Sequence, residues 1–163
     1  MKNQPTLIVL MLVLGAAGCR QSDGALPTPA GEQVNKTGDI ARDLLNVASG
    51  QAGAPEDLRQ DIEGLTAAPP PPHLAEALSA RLAEALKGLA LNEETANKLA
   101  GQLFVAVGGR DLSERQIATL KQDIAATVTQ GGASAEHAAA VGDVVGEIQA
   151  ALGTNRRRWW HVR

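Results

Sequence analysis

Apolar residues recur at three- and four-residue spacing along residues 39–152, which is the period of a helix with one buried face. No stretch alternates β-branched or aromatic residues with polar ones, as a half-buried strand does. The spacing predicts two short helices before residue 68 and four longer helices after residue 73. Short glycine-containing loops between the longer helices favour antiparallel neighbours. We therefore expect an all-α protein, a small antiparallel up-and-down helical bundle preceded by a short helical hairpin.

The first 38 residues depart from this pattern. Lys2 precedes an uninterrupted apolar run, Leu7–Leu14, and small residues follow it at positions 15–18. This three-part order is typical of a secretory signal peptide, and the run is shorter than the roughly 20 residues that a membrane-spanning helix needs. We predict a signal peptide at residues 1–18. Residues 19–38, rich in Pro, Gly and polar residues, are predicted to form a flexible tether.

The single cysteine of the chain follows the small residues directly. The segment Ala16-Ala17-Gly18-Cys19 resembles the lipobox of bacterial lipoproteins. The resemblance implies cleavage between Gly18 and Cys19, acylation of Cys19, and lasting attachment to a lipid bilayer through two or three acyl chains. Because Arg20 and not Asp comes next, it also implies the periplasmic face of the outer membrane in a host with two membranes. The alternative is an ordinary secreted protein that is cut near Ala17 and keeps a free thiol.

Four consecutive prolines divide the rest of the chain. Pro69–Pro72 cannot continue a helix and favour a stiff polyproline segment. They separate the predicted hairpin, residues 39–68, from a predicted four-helix bundle, residues 73–153. We interpret residues 69–72 as a rigid spacer between two helical units, and a docking site for the aromatic groove of a partner is the alternative.

Two of the longer helices have clear start signals. Asn92 is a good N-cap residue, and Ser113 with Gln116 three residues later makes a capping box. The last predicted helix runs from Glu136 to Leu152. These signals predict where two helices of the bundle begin.

Small residues recur every four positions along this last helix, at Ala138, Gly142, Gly146 and Ala150. A row of small side chains lets another helix approach closely. Each glycine costs about 1 kcal/mol relative to alanine in a helix interior, so the contact that it permits is expected to be useful. We interpret the row as a helix-packing face inside the bundle, and a groove for a partner helix is the alternative.

Residues 154–163 form a basic segment unlike the rest of the chain. Arg156, Arg157 and Arg158 precede Trp159 and Trp160, which are the only two tryptophans. Residues 20–155, in contrast, have 18 acidic and 10 basic residues. Arginine with tryptophan suits an anionic membrane surface, and both are common anchors of protein interfaces. A third alternative is that the segment folds back on its own acidic bundle or remains disordered.

No residue pattern predicts catalysis or a bound metal. The three histidines, at positions 73, 137 and 161, are far apart in the sequence, and no Glu-x-x-His or His-x-x-x-His motif occurs. With one Phe, two Trp and no Tyr, a stacking pocket for a cofactor or for bases is not expected. We expect no catalytic residues, no cofactor and, for an exported protein with an acidic body, no nucleic-acid partner.

These observations favour a membrane-anchored bacterial lipoprotein that acts as a non-enzymatic helical adaptor for an envelope protein. The first alternative is an assembly or chaperone lipoprotein, similar in kind to the small helical pilotins. The segment DLSERQIATLKQDI also resembles the Leu-Thr-x-x-Gln segments of Spy- and CpxP-type periplasmic chaperones, but any capping box after a leucine would match as well, so this family is not assigned. The second alternative is a membrane-surface-active protein that acts through its Arg/Trp segment. The sequence does not indicate an oligomeric state.

Overall fold

The computed structural model describes residues 33–66, 68–108 and 112–160, and for residues 33, 34 and 154–160 it describes the backbone alone. These residues form helices joined by short loops, and no strand occurs among them. The all-α prediction is confirmed. The helices are α1 (Gln33–Ala48), α2 (Ala54–Gly64), α3 (Pro72–Leu86), α4 (Glu93–Val107), α5 (Glu114–Gln130) and α6 (Ala135–Trp160).

One continuous apolar core joins all six helices. Leu44 of α1, Leu58 of α2, Leu82 of α3, Leu99 of α4 and Leu120 of α5 are each fully buried in it. Apolar residues of α6 complete the same cluster. The packing is that of a helical bundle, and it provides one shared interior rather than two.

The predicted hairpin, residues 39–68, and the predicted bundle, residues 73–153, share this interior. Helix α1 packs extensively on α4 as well as on α2 and α3. The proline segment does not act as a spacer between units, because Pro70 is buried and Pro72 is the first residue of α3. Proline is favoured at this position since its missing N–H would have no partner in the first turn of a helix.

Two helix ends also differ from the prediction. Helix α1 begins at Gln33, although the sequence placed residues 33–38 in the tether. The Lys36 ammonium donates a hydrogen bond to the Gly64 carbonyl over 2.9 Å, so the start of α1 is bound to the end of α2. Helix α6 continues to Trp160, eight residues beyond the predicted end at Leu152.

The predicted start signals of α4 and α5 are confirmed. The Asn92 side chain accepts a hydrogen bond from the Thr95 backbone N–H over 2.8 Å. Ser113 and Gln116 form both hydrogen bonds of the capping box. Polar partners for otherwise unpaired N–H groups therefore fix both helix starts.

Candidate functional site

The six helices alternate in direction, which gives the bundle two distinct ends. The groove end is the end where α1, α3 and α5 finish and where α2, α4 and α6 begin. At this end the Gly88 N–H donates to the Ala48 carbonyl over 2.9 Å, which joins the end of α1 to the end of α3. His137 Nε2 lies 3.8 Å from Glu84 Oε1, which brings the start of α6 to the same place.

The opposite end, here called the terminal end, holds the start of α1 and the end of α6. The hydrogen bond from Lys36 to Gly64 joins the start of α1 to the end of α2 there. Gln149 of α6 is buried and donates its side-chain amide to the Ala106 carbonyl in the last turn of α4. This bond gives a partner to a carbonyl that the helix itself leaves unpaired. The two termini of the described fold therefore lie at one end of the bundle.

A groove of about 410 Å³ opens at the groove end. Val47, Pro55 and Ala83 provide its apolar wall, and Glu84 and Lys87 border it with charge. Gly50 lies in the loop that follows α1 and has a φ of 77°, a left-handed conformation that favours glycine. Since the residues come from α1, α2 and α3, the groove depends on the contact between helices that the sequence assigned to different units.

The small-residue row of α6 is largely occupied within the bundle. Ala138 and Gly142 are buried, Gly146 is partly buried, and Ala150 is exposed. A Cβ at Gly142 would lie 3.3 Å from the Lys121 carbonyl oxygen of α5, and a Cβ at Gly146 would lie 3.3 Å from Lys121 Cδ. Gly142 and Gly146 thus pack closely on Lys121 of α5, and Gly142 is not open to a partner helix.

A buried carboxyl lies between α1 and α2. Asp43 is only 5% exposed, although it belongs to the predicted hairpin and was not singled out by the sequence. Burial first, and then the neighbouring carboxylate of Asp61, raises the pKa of Asp43 to about 6, while the adjacent Arg42 opposes this increase. Two carboxyl groups that meet in a poorly hydrated place cannot both be ionised without cost.

The one cation of α2 has other partners. Arg59 Nη1 lies 2.5 Å from Glu63 Oε1, and its Nε donates to Glu56 Oε2 over 2.9 Å. The hydrogen bonds from Arg59 lower the pKa of Glu56 to about 2. Arg59 is thus paired with Glu56 and Glu63, and the cation that opposes the raised pKa of Asp43 is Arg42.

The two histidines that the structure describes lie at the surface of the bundle. His137 and Glu84 are both about half exposed, with side-chain exposures of 43% and 52%, and His73 is exposed. Among the described residues, no group of three or more His, Cys, Asp or Glu side chains is placed to hold a metal ion. Nothing at the groove or at the Asp43–Asp61 pair identifies a cofactor.

The structure describes the predicted lipidation site not at all and the predicted Arg/Trp segment only in part. Gly18 and Cys19 lie outside the described residues, so the lipidation site stays a prediction. Arg156–Trp160 belong to the last turns of α6, but the structure describes their backbone and not their side chains. Helix α6 is therefore longer than the sequence predicted and includes most of the segment that was predicted as a tail.

Comparison with known proteins identifies no relative of this chain: no protein-family model, no curated protein and no solved structure matches it. Along the ranges that the structure describes, none of the helices combines the length and apolar content required to cross a membrane.

Proposed function

We propose that this chain is a lipid-anchored protein of the bacterial envelope whose helical bundle is a non-enzymatic binding module. The anchor is Cys19, which follows an apolar segment and small residues in the order of a lipoprotein signal. The bundle acts as an adaptor: it holds an envelope protein near the membrane and does not transform a substrate. In a host with two membranes, the chain is placed on the periplasmic face of the outer membrane.

The observation that supports this proposal best is the direction of α1, which begins at one end of the bundle and finishes at the end where the groove opens. Residues 20–32 connect Cys19 to α1, and α1 begins at the terminal end. Helix α1 has 16 residues and is about 24 Å long. The groove end therefore lies about one helix length from the point where the anchored segment joins the bundle, and Pro55 and Ala83 are partly exposed there.

The anchor is tested first by replacing Cys19. We expect the full chain to fractionate with membranes and to incorporate labelled fatty acid, and Cys19→Ser to lose both properties. As a matched control, Ser22→Ala changes a neighbouring residue and should leave both unchanged. Membrane attachment without acyl label, or label that persists in Cys19→Ser, would contradict the anchoring.

The binding function is tested by photo-crosslinking from defined positions of the anchored chain. A photo-reactive residue at Gln51 or Lys87, both exposed at the groove end, should give one discrete crosslinked product in intact cells. The same photo-reactive residue at Gln122, which is exposed midway along α5, is the lateral control and should not give this product. Equal crosslinking from all three positions, or none from the groove end, would show that the bundle does not bind a partner there.

A further inference from the structure

Helix α6 extends past the rest of the bundle at the terminal end. It has 26 residues, whereas its neighbour α5 has 17, and the two helices meet at the groove end through the short loop 131–134. At 1.5 Å per residue, α6 reaches about 13 Å farther than the start of α5. Leu152 is the last of its residues in the described core, so the extension comprises the turns that follow, through Trp160.

The extension has a composition opposite to that of the bundle. Three consecutive arginines, Arg156–Arg158, and both tryptophans of the chain lie in it, while residues 20–155 have 18 acidic against 10 basic residues. The arginines favour an anionic surface. The tryptophans favour an interface where the indole ring contacts apolar groups and its N–H contacts polar ones. The headgroup region of a bilayer with anionic phospholipids has both properties.

The topology also places the extension beside the attachment point. Helix α1 finishes where α3 finishes, and α6 begins at the same place, so the start of α1 and the end of α6 share the terminal end. Residues 20–32 can span at most roughly 45 Å when fully extended. A chain tethered through them holds the extension at a high effective concentration near the bilayer, so even weak binding is populated.

We propose that the last turns of α6, from Arg156 to Trp160, bind an anionic phospholipid surface. The terminal end then faces the membrane and the groove end faces away from it. This orientation rests on the proposed lipid anchor, but binding of the extension to anionic lipid does not. Two contacts with the membrane, the acyl chains and α6, would fix the direction of the bundle where a single attachment point would not.

Intrinsic fluorescence tests the proposal directly, because Trp159 and Trp160 are the only tryptophans and the chain has no tyrosine. The experiment uses the chain from residue 19 onward with Cys19→Ser, which contains every described residue and has no acyl chain. It is titrated with vesicles of phosphatidylethanolamine and phosphatidylglycerol in a 7:3 ratio. We expect a blue shift of the emission and cosedimentation, both weakened by salt, and neither with phosphatidylcholine vesicles.

Two triple variants identify the source of binding. Each arginine at an anionic surface contributes about fivefold to the partition coefficient, so Arg156→Gln, Arg157→Gln and Arg158→Gln together should lower it about 100-fold. The matched control removes three exposed cations of α1, α3 and α4, with Arg42→Gln, Arg81→Gln and Lys98→Gln, and should bind like the parent chain. Circular dichroism checks that both variants keep their helix content.

Three results would overturn the proposal: an unchanged emission spectrum on anionic vesicles, equal loss of binding in both triple variants, or a blue shift with soluble poly-glutamate but not with vesicles. The last result would identify an acidic protein surface as the target. Because the experiment uses an unacylated chain, its failure is distinct from a failure of the anchor, which is measured by fatty-acid incorporation at Cys19.

Discussion

At the scale of single residues, two polar side chains are buried in the interior of the bundle, and helical periodicity does not identify their hydrogen-bonding or charged partners. Gln149 falls on the inner face of α6 and gives the Ala106 carbonyl its hydrogen-bond partner. Asp43 is buried between α1 and α2 and meets Asp61. Neither residue is singled out by the sequence, because only the packing of a second helix decides whether water reaches them.

The raised pKa of Asp43 predicts that stability depends on pH. Between the ordinary pKa of 3.8 and the folded value of about 6, the folded state holds a proton that the unfolded state has lost. The free energy of unfolding should therefore fall as pH rises through this window and stay level above it. Asp43→Asn should remove the decrease and raise the free energy of unfolding at pH 7 by about 1–3 kcal/mol.

Urea denaturation at pH 4 to 7 measures this effect. Asp39→Asn is the matched control: Asp39 lies one turn away on the same helix, is exposed, and pairs with Arg42 at 3.0 Å. It should change the free energy of unfolding by less than about 0.5 kcal/mol. If Asp43→Asn keeps the pH dependence of the parent chain, the assignment to Asp43 is wrong.

At the scale of elements, the glycines of α4 and α6 differ in what surrounds them. Gly101 of α4 has nothing within 4 Å of an added Cβ. At Gly146 the nearest atom belongs to the flexible Lys121 side chain, and at Gly142 it belongs to the Lys121 backbone. A backbone atom in the middle of a packed helix cannot move as easily as the end of a lysine side chain.

Alanine substitutions at these glycines should therefore have graded effects. Gly101→Ala should stabilise the protein by about 0.5–1 kcal/mol, since only helix propensity changes. Gly146→Ala should stabilise it by a few tenths of a kcal/mol, because Lys121 must shift slightly. Gly142→Ala should destabilise it by about 1 kcal/mol, because overpacking against α5 exceeds the gain in propensity. Thermal unfolding gives the order, and equal effects at Gly142 and Gly146 would contradict the close α5–α6 contact.

At the scale of the whole molecule, α1 and α2 belong to the same folding unit as the other helices. The core is continuous from Leu44 of α1 to Leu120 of α5, and both side chains are fully buried. A single interior of this kind favours one cooperative unfolding transition.

Truncation of a core side chain in α1 and of another in α5 tests whether the six helices unfold together. Leu44→Ala and Leu120→Ala should each shift one common transition, with a cost of about 2–5 kcal/mol. Leu45→Ala, at a partly buried neighbour of Leu44, should cost less. For each variant, calorimetry and circular dichroism should give the same midpoint. A second unfolding transition in Leu44→Ala alone would show that the helices of the predicted hairpin unfold separately from the others.

The sequence by itself determined the helical class, the capped starts of α4 and α5, and the segments with unusual composition at both ends of the chain. These features depend on local causes: apolar spacing, side-chain caps and composition act within one helix or one short segment. The sequence also showed the row of small residues that contains Gly142 and Gly146, but not which helix would lie against it.

The tertiary structure alone decided which surfaces meet. The burial of Asp43, the groove between α1, α2 and α3, and the union of the hairpin with the bundle all depend on contacts between residues far apart in the sequence. The early start of α1 has the same origin, since Lys36 binds the end of α2. Helix direction is likewise a property of the assembled bundle, and it is what places the start of α1 and the Arg/Trp turns of α6 at one end.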